Sequence, residues 1–162
     1  MATIALITGA SSGIGRAVAY EFSKNGIDLI LCGRRLDRLT ELQEEIGESV
    51  NTYILTFDVR VKEEVFTAID SLPEDWKSID ILVNNAGNAH GLGPIQDGDT
   101  EDWDNMMDGN VKGLLYVSKA VMPFMIARKQ GHIFNLSSVA GKQTYPNGNV
   151  YCASKAAVEA LS

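Results

Sequence analysis

The sequence predicts an α/β fold, a doubly wound parallel sheet with helices on both faces. Three observations carry that expectation. Short continuous apolar runs, of the kind found in strands covered on both faces, alternate with segments whose apolar residues recur at helical spacing. A glycine-rich turn sits at the first junction between run and helix. The chain has 162 residues, 45% hydrophobic and 22% charged, enough for one domain with its own core, expected to span residues 1–162.

Taken in order, Ile4-Ala5-Leu6-Ile7 reads as the first strand and ends at Thr8-Gly9. Ile14, Ala17, Val18 and Phe22 then mark one helix face, which Gly26 closes. Leu29-Ile30-Leu31 is the second strand, and Leu36, Leu39, Leu42 and Ile46 stripe the second helix. A third strand is expected over 53–57, with a third helix marked by Val65, Ala68, Ile69 and Leu72. Ile81-Leu82-Val83 is the fourth strand. A long fourth helix over 101–128 carries the stripe Trp103, Met107, Asn110, Leu114, Val117, Val121 and Phe124. A fifth strand over 132–136 precedes a polar loop and a helix beginning near Val150. No internal repeat, low-complexity tract or linker interrupts this alternation.

Charge and cysteine usage narrow the function classes. The net charge is -7 with no basic run, which argues against nucleic acid as a partner, since phosphate neutralisation needs clustered Lys and Arg. Cys32 and Cys152 form neither a CxxC pair nor a disulfide framework, and they suit a reducing cytoplasm. His90 and His132 do not form a ligand cluster, so no metal site is expected. No signal peptide or membrane span is legible, and the Asn135-Leu136-Ser137 sequon reads as chance at a buried strand end.

The turn Thr8-Gly9-Ala10-Ser11-Ser12-Gly13-Ile14-Gly15 lies where a strand feeds a helix. Glycines there allow a tight bend, close approach of backbone to a pyrophosphate and close packing of helix on strand. The helix N-terminus adds free N–H groups and a positive dipole end. The spacing is Gly-xxx-Gly-x-Gly, and an ordinary glycine-rich turn is the plainer alternative. After the second strand come Cys32-Gly33-Arg34-Arg35, where binders of NAD place a carboxylate for the ribose 2′-hydroxyl. Guanidinium forks suit a 2′-phosphate instead, and cations at a helix N-terminus oppose the dipole unless an anion joins them. NADP rather than NAD is the expected cofactor.

Tyr151 and Lys155 are four residues apart and share a helix face. A free phenol is a poor base at neutral pH, but a nearby ammonium favours the phenolate and makes acid–base work possible. Taken alone, the pair could be a surface tyrosine beside a surface lysine. Ser138 follows the fifth strand at its carboxyl end, where open α/β sheets bind ligands. Asn110 interrupts an apolar stripe; a satisfied buried amide is the alternative reading.

Together, Thr8 to Gly15, Asn84-Asn85-Ala86-Gly87, Asn110, Ser138, and Tyr151 with Lys155 resemble the classical short-chain dehydrogenase/reductase family, a Rossmann-like fold, over residues 3–162. The resemblance implies that Tyr151 exchanges the hydroxyl proton and that Ser138 holds the substrate oxygen. Lys155 would bind the nicotinamide ribose and favour the Tyr151 phenolate, while Asn110 anchors a proton-relaying water. Gly9, Ser11, Ser12, Gly13, Ile14 and Gly15 would hold the pyrophosphate. Asp58 and Val59 would meet the adenine; Asn85, Ala86 and Gly87 would line the adenosine side; Arg34 and Arg35 match the family's NADP-preferring members. Gly33-Arg34-Arg35-Leu36-Asp37-Arg38-Leu39, Glu101-Asp102-Trp103 and the run from Tyr145 to Tyr151 are similar to NADP-dependent 3-hydroxy acid dehydrogenases, which act on serine, allo-threonine or malonic semialdehyde. The alternatives are a 3-oxoacyl-carrier-protein reductase of the same family and a non-catalytic NADP sensor or scaffold. The resemblance also implies a homodimer or homotetramer of the full-length protein; Leu115 and Met122 would suit that contact and would equally suit the core. Family members continue past the Tyr-Lys helix, so the sheet is expected to be truncated after it, incomplete at its C-terminus. An isolated 1–162 polypeptide is accordingly expected to be inactive and poorly soluble along its open edge.

Overall fold

The computed structural model describes residues 2–162. Among them five strands form one parallel sheet: β1 (Ile4–Thr8), β2 (Asp28–Gly33), β3 (Thr52–Thr56), β4 (Ile79–Asn84) and β5 (His132–Asn135), in the order β3-β2-β1-β4-β5. The chain winds outward from β1 to β3, then returns to lay β4 on the other side of β1. That reversal opens a crevice beyond the carboxyl ends of β1 and β4, where ligands of such sheets bind.

The pleat sorts the apolar runs into two cores. Ile4, Leu6, Ile30 and Leu82 meet Val65 and Ile69 of α3 (Lys62–Asp70) and Val117 and Val121 of a later helix. Ala5, Ile7, Leu29 and Leu31 meet Ala19 of α1 (Gly13–Lys24) and Leu39 and Leu42 of α2 (Leu36–Ile46). Leu29, Ile30 and Leu31 are fully buried on alternating faces, and each such side chain contributes about 1.5–3 kcal/mol. This two-sided burial is why the strands read as unbroken apolar runs.

Four details differ from the sequence reading. Of the expected α1 stripe, Val18 and Phe22 pack half-buried against the core, Ile14 is 63% exposed and Ala17 is also exposed, and the buried positions are Gly15, Ala19 and Ser23. At the start of the helix, above the glycine turn, Gly15 sits too close to the Gly9 carbonyl for any side chain. Leu36 opens α2 exposed, leaving Leu39, Leu42 and Ile46 to carry the contact. The long fourth helix is three pieces: α4 (Thr100–Met107), a π-helical turn over Asp108–Gly113, and α5 (Leu114–Arg128). Met106 rather than Met107 faces inward, while Leu114, Val117 and Val121 are buried as the stripe predicts, joined by Met125 with Phe124 half-buried against the same core. Finally, β5 is a sheet edge whose residues alternate exposed and half-buried, so the sequon Asn135 is not fully buried. The strand ladder still extends one bond past Asn135, as Leu136 N donates to Asn84 O at 2.9 Å.

The last helix, α6 (Asn149–Leu161), packs against α4 and the π turn. Cys32 and Cys152 are buried and unpaired, and burial raises the Cys32 pKa, holding that thiol protonated. No helix among the described residues is long and apolar enough to cross a membrane.

Candidate active site

One cleft of about 540 Å³ runs across the carboxyl edge of the sheet. Every residue that the sequence assigns to a nucleotide lines it, from Gly9 through Arg34, Asp58 and Asn85 to Tyr151 and Lys155, with the single exception of Gly15.

At one end is the glycine turn. Gly9 and Gly13 have φ of +67° and +55°, a region that L side chains enter at a cost of about 1–2 kcal/mol. A Cβ on Gly9 would also lie 2.8 Å from Asn85 Nδ2. A Cβ on Gly15 would collide with the Gly9 carbonyl and the Asn85 amide, so Gly15 seats α1 on the turn rather than lining the cleft. The turn is tied to β4 from beneath. Thr8 Oγ1 accepts from the backbone N of Asn85 and of Ala86, both at 3.0 Å, and Asn85 Nδ2 donates to Thr8 O at 2.8 Å. Ser12 precedes α1 without a side-chain cap bond, so its hydroxyl does not take up the first-turn N–H groups.

Arg35 Nη2 donates to Ser11 Oγ at 3.0 Å and Ser12 Oγ at 3.1 Å, which holds its guanidinium over the turn. Arg34 reaches the other way, with Nη1 3.6 Å from Asp58 Oδ2. Burial alone would raise the Asp58 carboxyl; hydrogen bonds from Arg60 and the charges of Arg60 and Arg34 outweigh it and hold the carboxyl below its ordinary value.

At the other end, α6 places Tyr151 and Lys155 one turn apart, with Lys155 Nζ 6.0 Å from the centroid of the Tyr151 ring. Lys155 is 7% exposed, and its Nζ donates to Leu136 O at 2.8 Å. Burial lowers its pKa. Ser138 is half-buried and starts a single 3-10 turn, with its Oγ accepting from Ala140 N at 3.2 Å. The cleft is lined at this point by Ser137, not Ser138.

Asn110 lies in the π turn, 2% exposed and outside the cleft lining. Its amide grips residue 88 at both backbone groups: Oδ1 accepts from Asn88 N at 2.8 Å, and Nδ2 donates to Asn88 O at 2.8 Å. Nδ2 also donates to Ser154 Oγ at 3.0 Å, and Ser154 Oγ donates to Tyr151 O at 2.8 Å. Both amide hydrogens are thus engaged by protein. A Cβ on Gly87 would lie 2.8 Å from Asn110 Oδ1, so a side chain there would push the Asn110 amide from its place. π turns within α-helices recur at functional sites, and this one turns Asn110 toward α6.

The motif reading passes over several contributors. Thr8 belongs to the glycine motif but its bonds to the loop after β4 are not announced by it, and Ser154 and the carbonyl of Leu136 act through tertiary hydrogen bonds that no local pattern announces. Asn88 lines the cleft, and its Oδ1 is buried without a partner, as is Asn84 Oδ1, among the described residues. Arg60 is the exception with a local signal. An Asp at a strand end closes its own turn by accepting from the backbone N two residues on, as Asp58 Oδ1 does from Arg60 at 3.0 Å. No group of three or more His, Cys, Asp or Glu side chains among the described residues is placed to hold a metal.

A reversing parallel sheet, a glycine turn under a helix N-terminus and a phenol–ammonium pair on the same cleft define a nucleotide-binding α/β protein. Residues 3–162 match the short chain dehydrogenase family model, and the chain belongs to that family. It is 47% identical over 159 residues to NADP-dependent 3-hydroxy acid dehydrogenase YdfG of Salmonella typhi, covering 98% of this chain and 63% of the relative. It is 49% identical over 160 residues to sulfoacetaldehyde reductase 2 of Chromohalobacter salexigens, covering 98% of this chain and 64% of that protein. The closed form of serine dehydrogenase complexed with NADP+ superposes with a TM-score of 0.94 at 45% identity, covering 99% of this chain and 64% of that one. The chain therefore spans under two thirds of the length of these relatives.

Proposed function

We propose that this protein is an NADP(H)-dependent oxidoreductase that interconverts an alcohol and a carbonyl. Its substrate class is small 3-hydroxy acids such as serine and allo-threonine, or malonic semialdehyde. The observation that carries the reading is the continuity of one cleft from the Arg34–Arg35 pair to the Tyr151–Lys155 pair. The names of the relatives support it, since YdfG is called NADP-dependent and a 3-hydroxy acid dehydrogenase, and serine dehydrogenase was solved with NADP+.

The residues present fit the coenzyme. Gly9 has no room for a Cβ, Gly13 offers open space at positive φ, and two guanidiniums flank the end of β2. Ser11, Ser12, Gly13 and Ile14 would cradle the pyrophosphate, with Gly9 and Gly15 shaping the turn. Arg34 and Arg35 would take the 2′-phosphate. Asp58 and Val59 would border the adenine, and Asn85, Ala86 and Gly87 the adenosine side. When bound, the nicotinamide supplies or accepts the hydride. Tyr151 donates its phenolic proton to the carbonyl oxygen in reduction and takes the hydroxyl proton in oxidation. Lys155, held by Leu136 O with its ammonium 6.0 Å from the centroid of the Tyr151 ring, would bind the nicotinamide ribose beside the phenol. Ser138 Oγ accepts from its own turn, which leaves its hydrogen to donate to the substrate oxygen. Asn110 is a positioning residue: it fixes the loop after β4 and, through Ser154, the first turn of α6.

The domain is a single NADP-binding unit over 1–162, acting in the cytoplasm, without nucleic acid or a membrane as partner. The exposure of Leu115 (42%) and Met122 (40%) on α5 supports a homodimer or homotetramer of the full-length protein. The test is NADPH oxidation with malonic semialdehyde and NADP+ reduction with serine by that protein. Turnover with both is the expected result; a protein that binds NADP+ yet turns over neither acid nor any simple carbonyl would favour a sensor. Turnover confined to acyl-carrier-protein thioesters would point to the 3-oxoacyl reductase.

A further inference from the structure

Arg60 lies two residues beyond Asp58, and the reading above gives it no role. Its Nε donates to both Asp58 oxygens at 3.1 Å, and its Nη2 donates to Oδ2 at 2.6 Å. Its Nη1 donates to Asn105 Oδ1 on α4, which anchors the fork from the far side. Arg34 approaches the same Asp58 Oδ2 from the cleft, but only to 3.6 Å, and its side chain is 64% exposed. One carboxylate thus stands between two guanidiniums with unequal claims on it.

We propose that Arg60 sets coenzyme preference by occupying Asp58, which leaves Arg34 for a 2′-phosphate. This rests on the NADP reading above. A bare carboxylate beside the end of β2 would repel a phosphate dianion and would draw Arg34 into a bidentate pair of its own. The Arg60 fork cancels that charge and fills most of the carboxylate's acceptor sites. It acts through Asp58 and Arg34, so it is a positioning residue.

The test is direct titration of NADP+ and of NAD+ into the full chain, wild type and variants, with unfolding monitored alongside. R60M should weaken NADP+ about tenfold and NAD+ less than about threefold. In a D58N background the same substitution should change NADP+ affinity less than about threefold, since no carboxylate remains to be released. R34A tests the underlying reading: it must weaken NADP+ selectively, and failure there removes the NADP assignment and this inference together. If R34A is selective while R60M weakens both coenzymes equally, or keeps its full effect beside D58N, only the role of Arg60 is overturned. Should R60M not fold, R60K keeps the charge but not the fork; it must show a smaller loss with the same selectivity, and wild-type NADP+ affinity in R60K overturns the proposal.

Discussion

Replacing Asn110 with Ala would remove three hydrogen bonds at once, two to the backbone of residue 88 and one to Ser154. The partners stay behind in a site where Asn110 itself is 2% exposed. Each bond is worth about 1 kcal/mol, so the loss is about 3 kcal/mol. For a domain of this size that corresponds to a fall in Tm of about 10 °C. Asn110→Asp separates the components. It keeps the acceptor for Asn88 N but sets a carboxylate oxygen against Asn88 O, so it should be at least as destabilised and should recover as the carboxyl protonates at low pH. Differential scanning calorimetry of wild type, N110A and N110D measures this, with turnover alongside. A Tm within about 2 °C of wild type for N110A, at unchanged turnover, would refute the positioning role.

Gly15→Ala drives a methyl into the Gly9 carbonyl, a backbone atom that cannot swing aside, and should cost about 3 kcal/mol or more. Gly26→Ala, with φ +71° and open space around it, is the control and should cost about 1–2 kcal/mol; equal losses in denaturant melts would contradict the packing argument. Lys155 has a pKa lowered by burial, so between its folded value and the ordinary 10.5 the unfolded chain binds more protons. Stability from this group therefore rises with pH through that window. Lys155→Met should flatten the rise seen in urea unfolding as the pH approaches 10.5 from below; an unchanged slope would place its origin elsewhere.

Much of the fold is legible in the chain because two-sided burial leaves unbroken apolar runs at β1, β2 and β4. Which face α1 buries is only partly legible: of the stripe Ile14, Ala17, Val18 and Phe22, Val18 and Phe22 pack against the core while Ile14 and Ala17 are exposed, and the small residues Gly15, Ala19 and Ser23 are the most buried. The π turn is equally hidden, since the stripe from Trp103 to Phe124 reads smoothly at 3.6 residues per turn. Its consequence shows at Asn110, whose polar break in the stripe is visible but whose grip on Asn88 depends on a loop more than twenty residues away. The cleft residues come through well because glycines and arginines at fixed offsets from a strand end have few other uses. Ser138 is the partial case, near the site by position but with its oxygen bonded to its own turn.

Turnover is predicted to depend on the phenol of Tyr151. Tyr151→Phe removes one oxygen and leaves the ring, Lys155 and the glycine turn in place. NADP+ affinity should stay within about threefold of wild type while turnover of the 3-hydroxy acid falls by about 10²–10⁴-fold. Turnover near the wild-type rate in that variant, with NADP+ still bound, would contradict it.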